Sequence, residues 1–202
     1  MDLALVERLI CPRAHEPAPL VVRADDVVEG RLLRGAVGCP VCRDEWPVVD
    51  GRVQFGPVPA GDATDISDVA TIAALLALTE PGTLVLVDGA PSALTAALVD
   101  EFGAMVVALD APRDSRASAV MNGAERVPLA VGAARGVLLL RSSRDASFVA
   151  SAARALAPGG RMIGAPGVLM PGDVRELARD ERLWVGERER VTAPVPLRRA
   201  GS

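Results

Sequence analysis

Lysine and tyrosine are missing from this chain altogether, so all 22 of its basic residues are arginine. That absence excludes a Schiff-base lysine and the lysine of a phosphate-binding P-loop. Histidine occurs once, at His15, and a Ser-His-Asp triad would have to use it. Aromatic residues are scarce: Trp46, Trp184, Phe55, Phe102 and Phe148 are the whole set. A core must then be built from Ala, Val and Leu, and with 50% apolar residues there is material for one. A net charge of −4 and a pI near 5.1 are a poor footprint for neutralising phosphates, so no nucleic-acid partner is expected. No apolar run is long and uncharged enough to span a bilayer, so no membrane partner is expected either. The opening "MDLALVERLICP" mixes Asp2, Glu7 and Arg8 into its apolar positions and offers no small-residue cleavage site. No signal peptide and a cytoplasmic location are therefore expected. Cysteine occurs three times, an odd count, with two of the three in a C-x-x-C. In a cytosolic chain that pattern reads as metal or redox chemistry and not as a disulfide framework.

The pattern along the chain changes near residue 60, where "FGPVPAGDATD" has the Pro, Gly and Asp content of a linker. Before it, "PLVVRA", "GRLLRGAVG" and "EWPVV" read as short strands. After it, Ile66, Val69, Ile72, Leu75 and Leu76 recur at helical spacing, with Thr64 or Asp65 to cap the start. Strands and helices then alternate. "GTLVLVDG" and "AMVVALD" are apolar runs expected of strands buried on both faces. Between them "PSALTAALVDEFG" reads as a helix with Pro91 near its first turn and Gly103 at its end. "AERVPLA" reads as a weaker third strand, "RGVLLLRSS" as a fourth and "GRMIGAP" as a fifth. "RDASFVASAARALAPGG" reads as the helix between the last two. This β-α-β alternation predicts a parallel sheet covered by helices. The tail, from "PGDVRELARD" onward, predicts a short helix and then extended segments at an antiparallel sheet edge.

Cys11, His15, Cys39 and Cys42 are all the cysteine and histidine the chain has, and all lie within its first 42 residues. Tetrahedral zinc takes four thiolate or imidazole ligands, and three cysteines with one histidine is one of its structural sets. Cys39-Pro40-Val41-Cys42 supplies two thiolates from one tight turn. Cys11 and His15 would supply the other pair. Their spacing is irregular, because the second thiol of a C-x-x-C falls at Ala14, but the longer imidazole tolerates one extra residue. A small segment with few large apolar residues needs a staple, which favours metal. Two other readings are open: a lapsed site, and a redox pair at Cys39 and Cys42.

"LVERLICP" followed by "GCPVCRDEWPVVDGRVQF" resembles the small zinc-ribbon family of methyltransferase-activator subunits, over about residues 3 to 56. The shared features are a short helix leading into a C-P knuckle, a second C-x-x-C, the Trp46-Pro47-Val48 strand and Asp50-Gly51. The resemblance implies binding to partner methyltransferases by extension of a β-sheet. The rest of the chain, roughly 66 to 190, is similar to a class I S-adenosylmethionine-dependent methyltransferase domain. "AARALAPGGRMIG" carries the helix, Pro-Gly-Gly turn and fifth strand, and "VVALD" ends the second strand on an acid. The resemblance implies that Asp110 accepts hydrogen bonds from ribose hydroxyls, with Gly89 and Asp88 in the cofactor loop. The loop departs from the family's acid-x-Gly-x-Gly-x-Gly pattern. Val87 stands where the acid belongs, and Pro91 and Ala93 replace two glycines. Proline has no N–H and a fixed φ, which hinders close approach of a cofactor.

The expected fold class is α/β: a zinc-ribbon-like β domain over 1–57, a Rossmann-like domain over 64–192, mostly parallel with flanking helices, and a tail over 193–202. Three functions compete. One is a non-catalytic protein that binds a protein partner, possible self-association through a sheet edge included. The second is an active methyltransferase with a divergent cofactor loop. The third is a small-ligand binder that has kept the cleft and lost the chemistry. Catalytic residues are not identified.

Overall fold

The computed structural model describes residues 1–59 and 68–190. The expected linker beyond residue 59, the caps Thr64 and Asp65 and the tail from 193 lie outside the described residues. Helix α1, Val69–Leu75, is capped instead by Asp68, whose carboxylate accepts from Thr71 N–H at 3.0 Å.

The wholly apolar runs become the centre of a parallel sheet. These are β5 (Leu84–Asp88), β6 (Met105–Leu109), β7 (Ala119–Asn122), β8 (Ala134–Leu139) and β9 (Leu156–Gly164). Their spatial order is β7-β6-β5-β8-β9, and every pairing among them is parallel. In order of appearance that is 3-2-1-4-5, the doubly wound arrangement with its switch point between β5 and β8. Every residue of β5 is buried, as expected for a strand covered on both faces. Helix α2, Ser92–Asp100, links β5 to β6, and α3, Ala146–Ala155, links β8 to β9.

Two readings of the sequence are corrected. The third strand is Ala119–Asn122, not "AERVPLA". Residues 124–130 pair outside the sheet, with the N-terminal segment: Ile10 N–H donates to Pro128 O and Ala130 N–H to Arg8 O. Pro128, which has no N–H to give, tolerates that setting but not a central strand. The expected helix of the tail is a strand, β10 (Val174–Arg179), in an antiparallel hairpin with β11 (Trp184–Arg188). Its helical composition is overridden because β11 pairs with β9 and seats Trp184 in the core, leaving an edge for β10 to complete. The antiparallel edge itself is as expected.

The cysteine-bearing segment forms an antiparallel meander, β1 (Val21–Val28), β2 (Arg31–Gly38), β3 (Glu45–Val49) and β4 (Arg52–Gln54). It joins the larger sheet. Strand β4 pairs in parallel with β7, Arg52 opposite Val120 and Gln54 opposite Asn122. Among the described residues the result is one sheet of 11 strands, with β1 and β10 at its edges.

Helices α1 and α2 pack Ile72, Leu76, Leu94 and Leu98 on one face of the parallel strands, against Val85, Val87 and Val106. The other face carries α3. The crossovers from β6 to β7 and from β7 to β8 have no helix. The N-terminal 3-10 helix, Leu3–Arg8, closes that face: Leu5 and Leu9 share a core with Val107, Met121, Val127 and Leu129. The meander and the parallel sheet therefore share both backbone hydrogen bonds and buried apolar surface. Among the described residues, no helix is long and apolar enough to cross a membrane.

Candidate functional site

The four soft ligands converge. Cys11, His15, Cys39 and Cys42 place their ligand atoms within 4.8 Å of one another. Zinc–sulfur bonds of about 2.3 Å and zinc–nitrogen bonds of about 2.05 Å, set on a tetrahedron, give S···S edges of roughly 3.8 Å and S···N edges of roughly 3.5 Å. Cys11 Sγ and Cys42 Sγ are 3.8 Å apart, His15 Nε2 is 3.5 Å from Cys39 Sγ and 3.1 Å from Cys11 Sγ. The donor set and its dimensions fit a metal ion. His15 Nδ1 meets the carbonyl of Glu16, which as an N–H donor leaves the Nε2 lone pair facing the thiols. Burial pushes the Cys11 thiol up to about 12. At Cys39 burial acts in the same direction, but backbone N–H groups of Cys42 and Val41 and the neighbouring thiols outweigh it and hold the thiol at about 7. Such N–H donors stabilise a thiolate, the form a metal binds. Four protein ligands leave no open position, so an ion here would be structural.

Arg13, two residues past Cys11, ties this cluster to the parallel sheet. Its Nε donates to Asp44 at 2.8 Å, and its guanidinium also pairs with Glu125 in the loop after β7.

The second candidate site lies at the carboxyl ends of the parallel strands, where open α/β sheets bind ligands. A cavity of about 690 Å³ opens there. The loops after β5 and β6, Asn122 at the end of β7, and Arg141 after β8 line it, and strands β3 and β4 of the meander close one side. Of the residues expected to meet a cofactor, Gly89 and Asp110 line the cavity and Asp88 does not, and both carboxylates are taken. Asp88 shares the parity of Leu84 and Leu86 and so points to the α3 face, where its side chain is 0% exposed. Arg144 grips it with two hydrogen bonds, Nε to Oδ2 at 2.9 Å and Nη2 to Oδ1 at 2.6 Å. The same Nη2 lies 2.5 Å from Asp110 Oδ2. Asp110 Oδ1 accepts from Gly123 N–H at 2.7 Å, and the Asp110 side chain is 1% exposed. The guanidinium also stacks 4.0 Å over the Phe148 ring. Arg141 adds a bond to the Asp110 carbonyl at 3.2 Å.

Burial pushes the Asp88 carboxyl up, and the Arg144 bonds pull it back only in part. For Arg144 burial opposes the charge, but the two acids more than offset it and raise its pKa, so the guanidinium stays charged. Asp110 sits at φ +50, a left-handed conformation that Asp tolerates and that turns the following loop out of the strand line. Gly89, at φ +73, makes the turn after β5. Pro91 is the N-cap position of α2 and makes no side-chain cap bond.

Two residues of the candidate site carry no signature in the sequence motifs, Arg144 and Asn122. Arg144 was passed over because it belongs to no catalytic motif; the available signal was an arginine at the mouth of β8 in a chain with acids ending both β5 and β6. Asn122 was missed because the third strand was misplaced. It is 8% exposed, lines the cavity, donates to Gln54 at 3.2 Å, and leaves its Oδ1 without a hydrogen-bond partner among the described residues.

No protein-family model matches the chain, and no curated protein matches it. Solved structures do. The N-methyltransferase NodS of Bradyrhizobium japonicum is 14% identical, with a TM-score of 0.44 over 60% of this chain and 94% of that one. A TehB-like SAM-dependent methyltransferase of Corynebacterium glutamicum is 14% identical, with a TM-score of 0.43 over 62% and 88% of the two chains. Phosphoethanolamine N-methyltransferase 2 of Haemonchus contortus, solved with S-adenosyl-L-methionine, is 16% identical, with a TM-score of 0.41 over 51% of this chain. The chain spans only 28% of that nematode enzyme and 43% of geranyl diphosphate C-methyltransferase from Streptomyces coelicolor. The architecture is accordingly stated from the chain's own sheet order: a mixed α/β, Rossmann-like fold.

Proposed function

We propose that this chain is a methyltransferase-like protein that has given up S-adenosylmethionine chemistry and serves to bind a protein partner, with a zinc ribbon at Cys11, His15, Cys39 and Cys42. The observation that carries the first half is Arg144. It occupies both carboxylates at the mouths of β5 and β6 and leaves the Asp110 side chain only 1% exposed toward a ribose hydroxyl. Zinc, when bound, supplies a structural crosslink. The ribbon is already spent on its own chain, since β4 extends the parallel sheet in cis. A partner then has the two sheet edges available. Strand β1 is the better template: it is eight residues long and exposes Val21, Val27 and Val28. Calorimetric titration of the metal-analysed protein with S-adenosylmethionine and S-adenosylhomocysteine tests the reading. No heat and no thermal shift at millimolar ligand is the expected result, and micromolar binding would overturn it.

One observation favours an active enzyme as a second reading. The cavity at the switch point is open, and the unpaired Oδ1 of Asn122 could accept from an adenine amino group. Methyl transfer demands mainly the orientation of two substrates, so the want of a catalytic base does not oppose that reading.

A further inference from the structure

The cavity that the S-adenosylmethionine reading leaves unassigned has a chemical character of its own. Arg52, Arg113 and Arg141 line it, and a smaller cavity of about 190 Å³ adjoins it through Asp50, Arg52 and Arg113 and adds Arg31. Across the two, the arginines outnumber the acids, Asp50 and Asp110, by four to two. Asp110 is paired with Arg144, which it shares with Asp88, Arg141 lies 3.9 Å from Asp88, and Asp50 stands exposed at the turn between β3 and β4. Arg52 is held in place by the carbonyls of Ala111 and Pro112, to which its two Nη groups donate. Arg113 makes no hydrogen bond or ion pair among the described residues. Burial and the nearby Arg113 charge both lower the pKa of Arg52, so the pair is an electrostatic cost that an anion would relieve. Two polar atoms await partners beside these arginines. Ser115 Oγ in the small cavity and Asn122 Oδ1 in the large one are buried and have no hydrogen-bond partner among the described residues. An acceptor so buried is costly unless something donates to it.

We propose that this cavity binds a small organic anion of up to nucleotide size, its anionic group held by Arg52 and Arg113 and a donor group bonded to Asn122 Oδ1. Guanidinium forks suit phosphate and carboxylate oxygens, and the site at the carboxyl ends of parallel strands is where such folds seat ligands. Asn122, opposite Gln54 and two register positions along from Arg52, selects for an amino or hydroxyl donor on the ligand. The ribbon takes part directly, because Arg52 and Gln54 come from β4. The site therefore exists only while β4 is paired with β7.

Adenosine 5′-monophosphate is the probe, since it carries a phosphate and an exocyclic amine, with adenosine as its uncharged control. Isothermal titration and thermal shift of the full, metal-loaded protein are the readouts. The monophosphate should bind saturably, about tenfold or more tighter than adenosine, as expected for a charged hydrogen bond. Arg113→Ala should remove that preference without lowering the ligand-free melting midpoint, since Arg113 is exposed, makes no hydrogen bond or ion pair among the described residues, and repels Arg52. Failure of the monophosphate to bind at millimolar concentration overturns the proposal. Equal binding of adenosine does so too, as does an unaltered preference in Arg113→Ala. The readout is a preference for phosphate over its absence, so its failure is distinct from the outcome with S-adenosylmethionine.

Discussion

Replacing Arg144 with leucine removes both guanidinium hydrogen bonds to Asp88 and, among the described residues, leaves it only the longer ion pair with Arg141, 3.9 Å away. The arginine makes two hydrogen bonds to a carboxylate that is 0% exposed, a third to Asp110, and a stacking contact on Phe148. Each bond to a charged group is worth about 1.5–3 kcal/mol, but these share one guanidinium and do not add. Breaking a buried ion pair by removing one partner costs about 3–5 kcal/mol, because a charge is left stranded. For a chain of this size that corresponds to a fall in Tm of roughly 6–20 °C. The sign of the pH dependence follows from Asp88. Burial already raises its carboxyl, and without Arg144 the rise is larger. An acid raised on folding favours the fold while it is protonated, and that contribution fades as pH rises from the unfolded value near about 4 through the folded one. The deficit of Arg144→Leu should therefore be smallest in mild acid and largest above neutrality. Urea unfolding at two pH values measures it. The double variant Arg144→Leu with Asp88→Asn should recover part of the loss, since the stranded charge is gone. A single-variant deficit below about 1 kcal/mol that does not change with pH would show that Arg144 is a surface residue in solution and refute the reasoning.

Other outcomes follow from the same geometry. Gly123→Ala places a Cβ 2.1 Å from the Gly56 carbonyl oxygen at a φ of +65, so it should break the seam where the ribbon leaves β7 and cost more than about 2 kcal/mol by urea unfolding. The purified protein should carry about one zinc per chain by metal analysis, and Cys39→Ser should lose it. Since Leu5 and Leu9 share a core with Met121 and Leu129, metal loss should lower a single unfolding transition. Two separate calorimetric transitions would instead show the ribbon unfolding alone. Zinc uptake should release protons and weaken toward acid pH, which titration in buffers of different ionisation heat detects. Leu5→Ala should destabilise the parallel sheet as well as the ribbon, by about 2–5 kcal/mol, and a hydrogen-exchange change confined to residues 1–59 would contradict that.

Much of this molecule is settled by local pattern. Runs such as "LVLVD" and "MVVAL" read as buried strands by their length, β-branched content and flanking glycines, and the spacing around Phe148 reads as a helix laid on them. The four residues that could hold a metal were legible because residue type and spacing are local facts, and their ligand atoms lie within 4.8 Å of one another. What the tertiary structure alone decided depends on partners far away in the chain. "AVMN" became a strand, rather than "AERVPLA", because β4 and β6 flank it. "VRELAR" became a strand because β11 offers it an open edge. Most consequentially, the acids that end β5 and β6 read as cofactor ligands until Arg144, 56 residues beyond Asp88, is seen to hold both. A carboxylate carries no sign in its own sequence of who will neutralise it. That is fixed by which loop the sheet brings to its mouth, since charge pairing acts across space and local pattern acts along the chain.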